Sequence, residues 1–192
     1  LTFTGGIKNL PYRLNLEYMN ESGVLDRSQL GRMGASLGIN PTLLNGKLKT
    51  EANGKYYHTD NFFADQGAIG SAITFDPSQA IYDDASVYGG YWEWTNTSGG
   101  LIPLAPKNPV GLLNQRDDES NVNRFIGNIK LDYEIFKDFH GVINGGIDMA
   151  RSNGTVVVPA EAASQYPNGS NNQYEQSKDN KLLEAYGNYK KD

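Results

Sequence analysis

The chain of 192 residues has no cysteine, which excludes disulfides, thiolate catalysis and cysteine metal centres. Histidine is nearly absent too: only His58 and His140 occur, one on a strand and one in a short turn at opposite ends of the strand pattern, so no shared catalytic site is expected of them. Neither a Ser/His/Asp arrangement nor a paired-carboxylate site is credible, and the chain is read as no enzyme, with no cofactor. No run of about 18 apolar residues exists, so a transmembrane helix is excluded, while a transmembrane strand, whose signal is weaker, is not. There is no block of like charge: the net charge is -5 and the isoelectric point is near 5.1, so neither nucleic acid nor an anionic lipid surface is invited by a basic stripe. Apolar residues are also scarce, at 38% with a mean hydropathy of -0.55, a poor composition for a self-sufficient globule. Leu1 opens on no signal sequence, and Lys190-Lys191-Asp192 closes in what reads as mid-strand, so both ends are expected to be cuts in a longer protein.

What is present is alternation with a period of two. Tyr12, Leu14, Leu16 and Tyr18 oppose Arg13, Asn15 and Glu17; Met33, Ala35, Leu37 and Ile39 oppose Arg32, Gly34, Ser36 and Gly38. Leu48, Thr50, Ala52, Gly54 and Tyr56 oppose Lys47, Lys49, Glu51, Asn53 and Lys55. The clearest case sets Phe125, Gly127, Ile129, Leu131, Tyr133 and Ile135 against Arg124, Asn128, Lys130, Asp132 and Glu134. The pattern predicts strands at about 1–4, 12–19, 30–39, 47–58, 123–136, 141–151 and 182–191, with long loops at about 60–121 and 152–180. Within the first long loop, Ala64, Ala68, Ala72 and Phe75 recur near a helical period, with Asp60 or Asn61 available to cap and Pro77 beyond, which predicts a short helix. A helical turn is also expected over 108–114, because Pro109 fits a first helical position.

In the alternating runs set out above, one parity holds every charge and the other holds none. A soluble sheet over a core would sort residues in the same way, but two further features favour a barrel wall. Tyr12, Tyr133 and Tyr189 stand near the short-turn ends of the apolar face and Tyr18, Tyr56 and Phe125 near the long-loop ends, as interfacial girdles do. Every second connection is short, so short turns gather at one end of the sheet and long loops at the other. Seven strands cannot close around a lumen. The expected fold is therefore all-β, an antiparallel up-and-down arc of a large transmembrane β-barrel with long extracellular loops. The competing class is a soluble, secreted all-β carbohydrate-binding module.

The run Phe62-Phe-Ala-Asp-Gln-Gly-Ala-Ile-Gly-Ser-Ala-Ile-Thr-Phe-Asp-Pro-Ser-Gln79, then Tyr88-Gly-Gly-Tyr91, Pro103-Leu-Ala-Pro-Lys-Asn-Pro-Val110 and Val122-Asn-Arg-Phe-Ile-Gly-Asn128, strongly resembles the SusC/RagA-like TonB-dependent transporters of Bacteroidetes outer membranes. Gly5-Gly6 with Tyr12-Arg13, and Glu184-Ala-Tyr-Gly-Asn-Tyr189, look like the same family. The resemblance implies part of a barrel of about 22 strands with an N-terminal plug. It also implies import of large nutrients such as glycans or peptides beneath a SusD-like surface lipoprotein. The expected partners are then the remaining barrel and plug, that lipoprotein, TonB through an N-terminal part missing here, and outer-membrane lipid. A TonB box, a plug and a closing strand are not found in these residues.

Tyr88, Tyr91, Trp92 and Trp94 are the candidate binding residues. They offer a platform for sugar rings, or they pack the loop against itself or a partner. Arg13, Glu17, Arg32, Lys49, Glu51, Lys130, Asp132 and Glu134 are expected to face the lumen, either lining the substrate route or pairing across strands and holding the plug. Asp83-Asp84 and Asp117-Asp-Glu119 could hold Ca²⁺ or simply be solvated; no EF-hand spacing accompanies them, and no metal is assigned.

Overall fold

A computed structural model describes residues 1–8 and 10–190; residue 191, where the last expected strand ends, lies outside the described residues. The strands are β1 (Thr2–Ile7), β2 (Leu10–Ser22), β3 (Gln29–Ile39), the two-residue β4 (Thr42–Leu43), β5 (Leu48–Phe62), β6 (Asp117–Phe136), β7 (Phe139–Val158) and β8 (Ser170–Tyr189). Two short helices, α1 (Gly67–Thr74) and α2 (Pro109–Asn114), lie between β5 and β6. All pairings are antiparallel, in the order β1-β2-β3-β5-β6-β7-β8, with β4 beside β5. The sheet is an open, up-and-down arc.

The turns follow from local chemistry. Lys137-Asp138 joins β6 to β7 with Asp138 at a φ of 68°, and Phe136 stacks on Phe139 across it at 4.8 Å. Gly169 enters β8 at a φ of 74°, where a Cβ would stand 2.8 Å from the carbonyl oxygen of Val158. Only glycine fits there without strain. Lys8 and residues 40–47 and 137–138 lie at one end of the sheet; residues 23–28, 63–116 and 159–169 close the other.

Among the described residues no second layer covers the sheet. Among the described residues the buried hydrophobic side chains are Ala68, Val142, Ala162 and Ala163, whereas Tyr18, Met33, Ile129 and Leu183 are 76%, 54%, 56% and 79% exposed. An apolar face this large, left open, marks a surface that meets something other than water.

The register shows how that face is oriented. Tyr12 pairs with Ile39, and the row continues through Ala52, Ile129 and Gly145 to Leu183 on β8. Tyr12 is the aromatic at the short-turn border of β2, but the matching border residue of β8 is Tyr189, six residues past Leu183. The loop-side border behaves alike. The row through Tyr18 runs Met33, His58, Asn123, Arg151, Ser177, and the last apolar residue on that face of β8 is again Leu183, six residues from Ser177. Both borders slide six residues over five strand steps, about 4 Å for each ~4.8 Å of sheet, an inclination of roughly 40°. Strands of outer-membrane barrels tilt by about 35–45°. An apolar band that crosses the strands at this angle is what a level bilayer leaves on a tilted wall.

Several expected boundaries need correction. β6 begins at Asp117 rather than 123, β7 reaches Val158 rather than 151, and β8 starts at Ser170 rather than 182. The loops shrink to 63–116 and 159–169 accordingly. Beyond the aromatic border Asp117–Asn121 of β6 and most of Ser170–Asn180 of β8 are polar on both faces, while Val156–Val158 of β7 is apolar on both, so alternation vanishes although the ladder continues. The parity rule for charge also ends there, since Arg151, Asp179 and Lys181 stand on the otherwise apolar face. The first helix begins at Gly67, and its start is served by Asp65, whose Oδ1 accepts the Gly67 N–H at 2.8 Å. Asp60 and Asn61, the expected caps, belong to β5.

Candidate functional site

The 63–116 loop folds around one buried side chain. Asn108 is 1% exposed. Its Oδ1 accepts the N–H groups of Val110 and Gly111 at 3.0 and 3.1 Å, capping α2 ahead of Pro109. Its Nδ2 donates to the carbonyls of Ile81 at 2.8 Å and Trp92 at 3.2 Å, and its backbone N–H donates to Oε1 of Glu93 at 3.0 Å. One residue thus joins three stretches of loop. Burial pushes the Glu93 carboxyl above the ordinary carboxylate value, against the Asn108 N–H and the Lys107 charge; burial also lowers the Lys107 ammonium, against Glu93.

Tyr88, Tyr91, Trp92 and Trp94 are brought into this assembly, all half-buried. Trp92 and Trp94 meet edge to face, with centroids 4.7 Å apart and planes at 82°, and Phe75 meets Trp92 edge-on at 5.9 Å. Tyr91 leans on Tyr82 at 5.5 Å, and a Cβ on Gly111 would touch its ring at 3.2 Å. The Tyr88 hydroxyl donates to the carbonyl of Gly99 at 2.9 Å. The four rings form no common plane. Outside them, Ile69 and Ile73 on α1 are 52% and 79% exposed and Leu104 is 97% exposed.

The loop is fastened to its neighbours. Phe63 N–H donates to the Asp118 carbonyl at 2.8 Å, Arg116 pairs with Asp118 at 2.8 Å, and Arg27 of the β2–β3 loop pairs with Asp117. A cleft of about 180 Å³ separates it from the β7–β8 loop, lined by Asp65, Glu93, Gln115, Arg116, Ala162 and Tyr166. Three of the acidic candidates are occupied by the protein itself: Asp83 accepts the Ala85 N–H at 3.0 Å, while Asp117 and Asp118 hold arginines. Among the described residues no group of His, Asp and Glu is arranged to hold a metal.

The eight charged candidates Arg13, Glu17, Arg32, Lys49, Glu51, Lys130, Asp132 and Glu134 share the face opposite the apolar band. Glu17 meets Arg32 at 3.4 Å, Glu51 meets Lys130 at 3.4 Å and Asp132 meets His140 at 2.6 Å. The Arg32 guanidinium also lies 5.7 Å from the Tyr57 ring centre. Arg13, Lys49 and Glu134 join no ion pair among the described residues. Two features of this surface were not foreseen from sequence. Arg124 grips Asp148 through two bonds of 2.8 Å, and Asn144 donates to Glu184 at 2.9 Å. Their cross-strand proximity follows from register, which parity alone does not supply. His58, at the loop end, meets Asn123 at 2.9 Å and Asp60 at 3.2 Å.

No family model matches the chain. Over 147 residues, 70% of its length, it is 35% identical to the TonB-dependent receptor SusC of Bacteroides thetaiotaomicron. Over 137 residues, 69% of its length, it is 27% identical to the TonB-dependent receptor P26 of Formosa agariphila. The whole chain superposes on part of the RagAB peptide importer, solved in its 'closed-closed' state, with a TM-score of 0.70 and 16% identity. The chain belongs to the SusC/RagA-like TonB-dependent receptors. It covers 15% of SusC, 12% of P26 and 22% of the matched RagAB chain. In SusC/RagA-like terms, the sheet is an arc of barrel wall and the 63–116 loop is one of its crowns. The curated relatives carry the names of receptors, not of enzymes.

Proposed function

We propose that these residues form part of the wall and crown of an outer-membrane importer of large nutrients, glycans or peptides. The observation that carries this reading is the apolar band inclined by roughly 40° to the ladder rows, the angle of a tilted transmembrane strand. In this reading residues 1–192 are barrel throughout, the band meets lipid, and the loop end is extracellular. The face bearing Arg13, Glu17, Arg32, Lys49, Glu51, Lys130, Asp132 and Glu134 lines the lumen. Energy from TonB would reach the transporter through a plug that belongs to the rest of the protein.

Tyr88, Tyr91, Trp92 and Trp94 are assigned to shaping the crown. Rings set edge to face and locked to Phe75, Tyr82 and Gly99 offer no flat pair of faces to a sugar. The partner assigned to that crown is a SusD-like lipoprotein, met by the exposed Ile69, Ile73 and Leu104.

The test uses the full-length receptor in intact membranes with single cysteines at Leu37, Ile129, Arg13 and Lys130. A water-soluble maleimide is expected to label positions 13 and 130 and to spare 37 and 129. Labelling of 37 and 129, with 13 and 130 spared, overturns the assignment of faces.

A further inference from the structure

The apolar band is not evenly filled. Leu37 and Ile39 wall one side of a depression of about 620 Å³ and Ile147 the other, with Ala52, Gly54, Gly127 and Gly145 beneath. Gly54 faces Gly127 across β5 and β6, and a Cβ on Gly145 would meet nothing within 4 Å. Omitting side chains at these positions leaves backbone open to close approach. At the far rim stands Lys181, opposite Ile147. Arg151, on the same face, is taken up by Asp179 at 2.8 Å, whereas Lys181 makes no ion pair among the described residues.

The direction of this depression carries the argument. It follows one ladder row, Lys181, Ile147, Gly127, Gly54, Leu37. Because rows are inclined to the band, this row starts just beyond the loop-side border at Lys181 and ends deep in the band at Leu37. Four strand steps are about 19 Å. At an inclination of roughly 40° the row descends about 12 Å, within the roughly 15 Å of one leaflet. A cation at the interface with an apolar trough running inward has the layout of a lipid, headgroup first.

We propose that the depression binds one acyl chain of a phosphate-bearing lipid of the loop-side leaflet, with the phosphate on Lys181. The proposal rests on the reading that this face meets lipid. Burying a chain gains nothing from hydrophobicity where the surroundings are equally apolar. Selection therefore comes from fit to the glycine floor and from the ammonium, which near a membrane surface favours an anionic headgroup about five-fold.

The full-length receptor is placed in phosphatidylcholine vesicles with traces of a lipid carrying a diazirine on its acyl chain, either phosphatidylglycerol or phosphatidylcholine, and cross-linked peptides are mapped. With phosphatidylglycerol, labelling at Leu37, Ile129 and Ile147, all lining the trough, is expected to exceed that at Leu16 and Ile143 on the same face, and to be about five-fold that obtained at the same three sites with phosphatidylcholine. Gly145→Leu, which fills the trough, is expected to bring those sites down to the level of the rest. Lys181→Gln is expected to equalise the two headgroups while leaving the trough open, so the proposal stays testable if the leucine variant misfolds. Even labelling across the face overturns the proposal and leaves the membrane-facing reading intact. Trough labelling without headgroup preference in the unaltered receptor overturns the role of Lys181. No labelling anywhere on the face overturns both readings.

Discussion

The backbone N–H of Asn108 donates to Oε1 of Glu93 at 3.0 Å, and the two residues are 1% and 7% exposed. A carboxylate and an amide buried together in an extended loop make the loop a folded object with its own interior. That interior is the most sensitive point of the crown.

Replacing Asn108 with alanine removes the α2 cap and strands the carbonyl of Trp92, while the Ile81 carbonyl keeps the Trp92 N–H at 3.1 Å. A lost cap costs about 1 kcal/mol, and buried groups left without partners cost roughly 1–3 kcal/mol more. Amide exchange within 76–114 is expected to accelerate by at least ten-fold while exchange in β6 and β7 stays unchanged.

Glu93 gives the crown a pH dependence of definite sign. Its folded pKa is raised, chiefly by burial, so its stabilising contribution is complete below the ordinary value of 4.5 and is lost as pH rises through the raised value. Asp76 has the opposite sign, because the Ser78 N–H lowers its carboxyl, and so stability from Asp76 is lost in stronger acid. Lys107, beside Glu93, is lowered, and its contribution fades as pH falls from the alkaline side. Glu93→Gln keeps an oxygen for Asn108 and removes the titration. Loop exchange, corrected for intrinsic rates, is expected to quicken from pH 4.5 upward in the unaltered receptor and to stay flat over that window in the variant.

On the polar face Gly34 lies beneath Tyr57, and a Cβ there would stand 2.4 Å from the ring and 3.0 Å from the Tyr56 carbonyl oxygen. Gly34→Ala is expected to displace Tyr57 from the Arg32 guanidinium and to cost about 1–3 kcal/mol. Gly31→Ala, on the same strand, meets nothing within 4 Å and is the control. Unfolding in detergent compares the two.

The Arg124–Asp148 pair reports on the solvent of its face. Against water, a double-mutant cycle is expected to give a weak coupling that fades as salt is raised. A strong coupling insensitive to salt would place the pair in a dry environment instead.

The sequence made the faces legible wherever one of them is apolar, as from Tyr12 to Tyr18 or Phe125 to Ile135, because a penalty sorts those residues by parity. It left the outer halves of β6, β7 and β8 unread, because a strand polar on both sides, as in Ser170 to Asn180, or apolar on both, as in Val156 to Val158, carries no alternation. The slant of the band was hidden for a related reason: parity gives the face of each residue, while slant needs the register that joins Tyr12 to Leu183 through four intervening strands. In the crown the Asn108-Pro109 step gave away α2, but nothing local announces that Asn108 also reaches Ile81, Trp92 and Glu93. Tyr88 to Trp94 stood out by composition, and their edge-on packing became visible only with the loop folded.

In the proposed reading, the apolar band is the trace of a level membrane across a tilted wall. The row Tyr18, Met33, His58, Asn123, Arg151, Ser177 tests it directly, since all six are paired neighbours on one face. A nitroxide is placed at each position in turn in the full-length receptor in a bilayer, and its collisions with oxygen and with a water-soluble nickel chelate are compared. Positions 18 and 33 are expected to favour oxygen, with the balance shifting along the row until 151 and 177 favour nickel. Equal depth along the whole row, or nickel access at 18 as free as at 177, would contradict the account.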